Sequence, residues 1–349
     1  MSKRTKRKLI VIVIVMIVLA IGGFLFWRIG GRSVEINSTK ESKSEEINKK
    51  GINPITGLEC ENYNQRPIAI MLAEDPITRP LSGISSADLV IEMPVITGSI
   101  TRLMAVYACE SPEEIGSLRS ARHDFIPLAL GLDAIYAHWG GSHYALDKLN
   151  AGIIDNIDAL KNPYNAYWQK TGIPMPHNGF TSYSRLLNAA EKLGYRLENK
   201  FEGYPHLKNP KSEIRNPKQG KLTIGFGGKY RVYYEYNPKT NTYLRWRGGK
   251  KEMDKNNNRQ VEVSVVAVMR AESRMIEPPD YNDVDVEGQG EAIVFQNGEE
   301  IKGYWKKEGH YSKSKLRFLD GNNKEIKFAL GKIWIEVVEP YQDIIWETF

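Results

Sequence analysis

Cysteine is nearly absent from this chain: 349 residues hold only Cys60 and Cys109. That excludes a disulfide-dense scaffold and a cysteine-based zinc site, which needs a tetrahedral set of donors. The spacing does not say whether the two thiols meet, so one disulfide and two buried free thiols both stay open. Histidine is also scarce, with six in all. His138 and His143 lack the spacing of a helical metal pair, and no cysteine lies near them, so neither a metal nor a cofactor is expected. No Gly-x-Ser-x-Gly elbow and no phosphate loop ending Gly-Lys-Ser or Gly-Lys-Thr is present. Ser312 and Lys315 have a Ser-x-x-Lys spacing, but they fall in a charged, strand-rich segment and not at the start of an apolar helix.

Acidic residues are missing from the first 32 positions, which carry seven Lys or Arg. Those seven exceed the formal +6 of the whole chain, leaving residues 33–349 at a net −1. A basic nucleic-acid-binding domain is therefore not expected, because the positive excess belongs to one end. Within that end, residues 1–8 form a basic leader and Leu9 to Trp27 is an uncharged run. Nineteen residues at about 1.5 Å rise span roughly 28 Å, close to the hydrocarbon thickness of a bilayer. A cleaved signal peptide would have a shorter apolar region and a small-residue cleavage site. The run ends Gly-Gly-Phe-Leu-Phe-Trp-Arg, which favours an uncleaved single-pass anchor over residues 9–27. More basic residues precede it than follow, placing the N-terminus in the cytoplasm and the bulk of the chain outside. No cysteine follows the run, so lipid attachment there is excluded.

Residues 28–52 are polar and of mixed charge, a flexible tether. Over residues 53–200 the pattern turns regular. Ile68 to Leu72, Asp88 to Glu92 and Ile100 to Tyr107 read as strands, a helix starts near Ser120, and Ala134 to Ala137 is another strand. Helices follow at Tyr144 to Leu149 and Thr181 to Leu193, with Thr181 or Ser182 as cap. Alternating strands and helices predict an α/β domain with a mixed, partly parallel sheet. Residues 201–221, rich in Pro, Lys and Asn, read as a linker. Residues 222–349 hold repeated short strands divided by turns such as Asn237-Pro238 and Asn297-Gly298, so a mainly β domain follows.

Chemistry concentrates between Ser117 and Ser142. Arg119 and Arg122 precede one predicted helix, and His138, Gly140, Gly141 and Ser142 precede the next. Loops after strands collect ligands in open α/β sheets, arginines suit carboxylate or phosphate, and glycines admit a ligand to the main chain. The same arginines could instead pair with Asp124, Asp88 or Glu92, and His138 could be a satisfied structural residue. A second loop, Pro176-His177-Asn178, offers an acid or base beside an amide. In the later half, Tyr243, Arg245, Trp246, Trp305 and Lys307 read either as a glycan-binding surface or as core.

The ordered set Arg66-Pro67, Arg79-Pro80 with Ser82-Gly83, Ala87-Asp88, Glu92, Thr101-Arg102, Ser117 to Arg122, His138 with Gly140-Gly141-Ser142, and Pro176-His177-Asn178 resembles the YerB-like family of bacterial envelope lipoproteins. The likeness continues through Tyr236, Tyr243, Arg245, Asp254, Gly288 to Phe295, Trp305-Lys306-Lys307 and Gly331 to Ile335. It covers about residues 53–340 and implies envelope location and architecture, not a reaction. Two features depart from the family's pattern. The usual lipid-bearing cysteine is missing, and Ile96-Thr97-Gly98-Ser99 stands where an acidic residue followed by two glycines is usual.

These readings converge on a membrane-anchored, extracytoplasmic protein that binds an anionic envelope ligand such as peptidoglycan or a precursor. Arg102, Arg119, Arg122, Gly140, Gly141, Ser142 and Asn178 would line the site. An enzymatic alternative makes the protein a cell-wall hydrolase or transferase, with His138 or His177 as general base. A third reading is a scaffold recruiting an envelope protein partner.

Overall fold

Ten strands build one sheet that runs through both halves of the chain. The structure, a computed structural model, describes residues 50–208 and 218–349 together with Met16, Ile17 and Leu19. The expected membrane anchor therefore lies, apart from those three residues, outside the described residues, as does most of the tether. Among the described residues no helix is long and apolar enough to cross a membrane.

The large sheet contains β1 (Ile68–Ala73), β2 (Leu89–Pro94), β3 (Thr101–Tyr107), β4 (Ile135–His138) and β5 (Asn156–Asp158) from the earlier half. A second sheet is built on β6 (Gly220–Ile224), β7 (Val232–Asn237) and β8 (Thr242–Arg247). The chain then returns to the first sheet as β9 (Val265–Arg270), β10 (Gly288–Gln296), β11 (Glu299–Lys307), β12 (Arg317–Asp320) and β13 (Ile333–Val338), and β14 (Ile344–Thr348) closes the second. The order in the large sheet is β12-β11-β10-β9-β13-β2-β3-β1-β4-β5. β13 pairs in parallel with both β9 and β2, so strands of the two sequence halves share one sheet instead of forming two separate ones. The expected partly parallel character is present, with β1, β4 and β5 parallel and β3 antiparallel to β1. Strand outweighs helix throughout. The helices described are α1 (Phe125–Gly131), α2 (His143–Asn150) and α3 (Tyr183–Lys192), of which α2 is the crossover between β4 and β5.

β1 reads Ile-Ala-Ile-Met-Leu-Ala without a polar residue because both of its faces are covered. One face packs Met71, Met104 and Ile91 against Phe125, Leu128 and Ala129 around α1. The other packs Ile70, Leu72 and Leu103 against Leu222, Ile224, Tyr234 and Tyr243 of the second sheet. Each such fully buried side chain contributes about 1.5–3 kcal/mol. The second sheet has one dry face only, and β6, β7 and β8 accordingly alternate buried and half-buried positions.

Two sequence expectations change and one open question closes. The helix expected from Ser120 starts at Phe125, because Ala121 is held in a bridge with Gly141 and the stretch before it stays extended. The segment read as a linker anchors its beginning, with Phe201 and Tyr204 buried and Tyr204 against Phe328. Cys60 and Cys109 are bonded, their Cα atoms 6.0 Å apart across 49 positions of sequence.

Candidate anion-binding site

The parallel strands β1 and β4 end at one edge of the large sheet, where the following loops are free to meet a ligand. Antiparallel β3 begins at this edge, with Arg102 opposite Ala73 and Met93. The stretch Ser117 to Ser142 is stitched across the same edge by its main chain. The Arg119 N–H donates to the Met71 carbonyl at 2.9 Å, Ala73 N–H to Ser117 O at 2.9 Å, and Trp139 N–H to Arg119 O at 3.1 Å. Ala121 N–H donates to Gly140 O at 2.9 Å, and Leu118 N–H to Gly179 O at 2.9 Å, which brings in the loop bearing His177.

Three arginines gather here. Arg102 is 7% and Arg122 9% exposed, yet neither has a carboxylate within 4.0 Å among the described residues. Arg102 donates to Ser120 O at 2.9 Å and Arg122 to its neighbour Ala121 O at 3.2 Å, both neutral acceptors. Arg122 also lies 5.2 Å from the Tyr281 ring centroid, and its Nε has no hydrogen-bond partner. Arg119 alone has an acid, Asp75, at 3.5 Å, and the same Asp75 oxygen is 3.9 Å from His177 Nδ1.

The electrostatics follow from that imbalance. Burial, then the Arg122 and Arg119 charges, push the Arg102 guanidinium well below its ordinary range. Burial and Arg119 also lower Arg122, against the opposing pull of Tyr281. A buried set of like charges is unfavourable until an anion arrives, and guanidinium groups then form strong charge-assisted hydrogen bonds. Burial lowers His177 as well, outweighing Asp75, so its imidazole is neutral at neutral pH.

The other expected site residues have different work. His138 is fully buried, its Nδ1 donating to Gly140 O at 2.8 Å and its Nε2 3.3 Å from Asn156 Oδ1. Burial depresses it, and Asp158, which accepts from the Gly140 N–H at 2.9 Å, locks the same turn. A histidine closed off in this way holds a loop and cannot meet substrate, which corrects its expected part as general base. Gly140 has φ +60° and a Cβ there would approach Leu160 to 2.8 Å, so the turn requires glycine. Gly141 forms the bridge to Ala121. Ser142 is spent as the cap of α2, its Oγ accepting from Ala145 N–H at 3.2 Å. Asn178 is half-buried and its carbonyl accepts from Lys170 N–H at 2.9 Å. Thus Arg102, Arg119, Arg122 and His177 come together, while His138, Gly140, Gly141 and Ser142 support them from behind.

Glu92, a sequence candidate for pairing these arginines, belongs to a different centre on the opposite face of the sheet. There Arg79, Arg245 and Arg247 meet Glu74, Glu92, Glu252 and Glu336. Arg245, Glu74, Glu92 and Glu336 have no exposure at all. Arg247 reaches Glu74 at 2.5 Å and Glu92 at 2.9 Å, and Thr101 Oγ1 donates to Glu92 at 2.5 Å. Burial and the Glu92 charge raise Glu336 to about 8. At neutral pH it holds its proton, and three arginines then balance three carboxylates. The glycan-surface reading fails for the same reason, since Tyr243, Arg245, Trp305 and Lys307 are all buried.

Asp75 and Tyr281 join the arginine cluster from positions that sequence reading passed over, while Tyr230 lies under Arg247 of the ion-paired centre, 4.8 Å from its guanidinium. Asp75 was legible as a polar residue just past a strand end. Tyr281 is remote in sequence and carries no local signal. The group His123, Asp124 and Asp283 also brings ligand atoms within 4.8 Å of one another. Its His123 Nε2 lies 3.1 Å from both carboxylates, and Arg274 already pairs with Asp283. Gly98, in the Ile96-Thr97-Gly98-Ser99 turn, donates its N–H to the Glu339 carboxylate at 2.9 and 3.1 Å.

Known proteins resemble this architecture along most of its length. The family described as "Protein of unknown function (DUF3048) N-terminal domain" matches residues 55–196, and its C-terminal counterpart matches residues 222–335. A Bacillus subtilis (strain 168) protein named "Putative lipoprotein YerB" is 32% identical over 291 residues, spanning 82% of this chain and 85% of that one. The crystal structure of YerB protein from Bacillus subtilis superposes with a TM-score of 0.75 at 29% identity, covering 85% of this chain and all of the other. With both DUF3048 modules matched in turn along the chain and a relative 32% identical over 82% of it, the chain belongs to the YerB-like family of DUF3048 proteins.

Proposed function

We propose that the chain is a membrane-anchored, extracytoplasmic envelope protein whose Arg102, Arg119 and Arg122 bind an anionic ligand of the cell envelope, peptidoglycan or a precursor. The membrane association draws on the lipoprotein name of its relative and on the apolar run of residues 9–27. The Cys60–Cys109 bond suits the oxidising side of a membrane. One observation carries the ligand class. Arg102 and Arg122 are each more than nine-tenths buried beside Arg119, with no carboxylate within 4.0 Å among the described residues. A fold that isolates cations in this way gains stability from an anion it does not itself supply.

The neutral His177 beside Asp75 and Arg119 favours a second reading, in which the bound material is also cleaved or transferred with His177 as general base. Co-sedimentation with purified cell-wall fragments tests the binding reading. Wild type should pellet with the fragments and an Arg119→Ala/Arg122→Ala variant of unchanged circular dichroism should stay in solution. Equal pelleting would end it. Release of soluble fragments by wild type but not by His177→Ala would establish the second reading.

A further inference from the structure

A second basic centre lies on the outer face of the smaller sheet, in a cleft of about 1150 Å³. Its walls carry Lys221, Lys229, Arg231, Lys250 and Lys251. None of the five has a carboxylate within 4.0 Å among the described residues, and the acid in the wall, Glu252, is 2% exposed and already paired with Arg245 and Arg79. The fold concentrates these charges deliberately. The pair Gly248-Gly249, both at positive φ (53° and 78°), makes a tight hairpin that sets Lys250 opposite Arg247 and Lys251 opposite Trp246. Gly248 N–H donates to Arg231 O at 2.9 Å, and a Cβ on Gly248 would come within 3.1 Å of Lys229 O, which ties the hairpin to the turn bearing Lys229 and Arg231.

Aromatic rings in a basic groove commonly serve to stack nucleobases. Here they are already covered. Tyr233 and Trp246 stack on each other with centroids 5.3 Å apart and planes 13° from parallel. Lys221 sits 4.6 Å over the Tyr233 ring and Lys251 5.5 Å over Trp246. In the row Lys-Tyr-Trp-Lys each ring stacks on the other and has an ammonium group over it. Arg79 and Arg247 also reach the cleft but are paired with glutamates; of the five cations left without a carboxylate partner, four are lysines, compact point charges suited to phosphate and lacking the planar fork that favours carboxylate.

We propose that this cleft binds a linear polyanion of repeating phosphate groups without nucleobases, held by charge and not by stacking. The inference stands apart from the arginine site, sharing no residue with it. The test uses full-length protein in detergent-containing buffer and a fluorescently labelled linear polyphosphate as probe, followed by anisotropy over a range of salt concentrations. Wild type should bind with an affinity that falls steeply with salt. A variant with Lys229→Gln, Arg231→Gln, Lys250→Gln and Lys251→Gln, all exposed positions, should bind at least tenfold more weakly and with a shallower salt dependence. Arg119→Ala/Arg122→Ala should retain the wild-type affinity for polyphosphate, so failure here and failure at the arginine site are separable. Unchanged binding by the fourfold variant would overturn the proposal. So would tighter binding of single-stranded DNA of equal charge, which would require free ring faces, or binding to phosphatidylglycerol vesicles without binding to the soluble polymer.

Discussion

Two clusters of three arginines sit on opposite faces of the same sheet, and their acid content separates them. Arg79, Arg245 and Arg247 face four glutamates, with Arg245 and Arg247 buried and Arg79 half-buried. Of Arg102, Arg119 and Arg122 only Arg119 has an acid, Asp75, within 4.0 Å among the described residues, and burial with the neighbouring guanidinium charges lowers Arg102 and Arg122. The first cluster is complete and joins the two sheets, since Arg245 of β8 reaches Glu92 of β2. The second lacks its counter-charge. The same residue type thus serves cohesion where carboxylates match it and awaits a ligand where they do not.

The contrast can be broken most forcefully at Arg245. Replacing it by alanine strands Glu92 and Glu252 without their partner, and unfolding by denaturant should show a loss of about 3–5 kcal/mol. A loss under about 1 kcal/mol would mean that the cluster contributes little. Arg119→Gln should do the reverse. It removes one of three like charges at a half-buried position, so stability should stay within about 0.5 kcal/mol of wild type, or rise, while binding to cell-wall fragments is lost.

Protons sharpen the comparison further. Glu336 titrates near 8 in the folded chain and near 4.5 when unfolded, so the folded state holds more protons between those values. Its contribution therefore disfavours folding progressively as pH rises from about 4.5 to 8. Glu336→Gln keeps the neutral form at every pH. Thermal midpoints measured across this window should decline less steeply in the variant than in wild type, and parallel curves would show that Glu336 is already ionised. The smallest effect on binding is expected for His138→Gln. Loosening the Gly140 turn should lower stability by about 1–2 kcal/mol and leave catalysis-independent binding within twofold, because the ring reaches no ligand.

Much of the edge site is legible in the sequence. Ser117 to Arg122 and Thr101-Arg102 stand beside strands marked by plain apolar runs, and the Ser182 cap of α3 follows from local chemistry, its Oγ accepting from Arg185 N–H at 3.3 Å. What was not legible depends on long-range register. The parallel pairing of β13 with β2 joins residues such as Ile333 and Leu89, and no local period reports it. Without that pairing, Arg245 reads as one member of an exposed aromatic and basic surface. His138 misleads for a related reason. A histidine after a strand looks like a general base until Asn156 and Asp158, brought in by the next parallel strand, are seen to close around it.

The central claim is that the two arginine clusters divide cohesion from recognition. Thermal denaturation of wild type, Arg247→Gln and Arg119→Gln, each with and without purified soluble peptidoglycan fragments, tests it in one experiment. The account predicts that Arg247→Gln lowers the midpoint without fragments but keeps the rise that fragments produce. Arg119→Gln should keep the first and lose the second. Equal ligand-induced rises in both variants, or none in wild type, would contradict it.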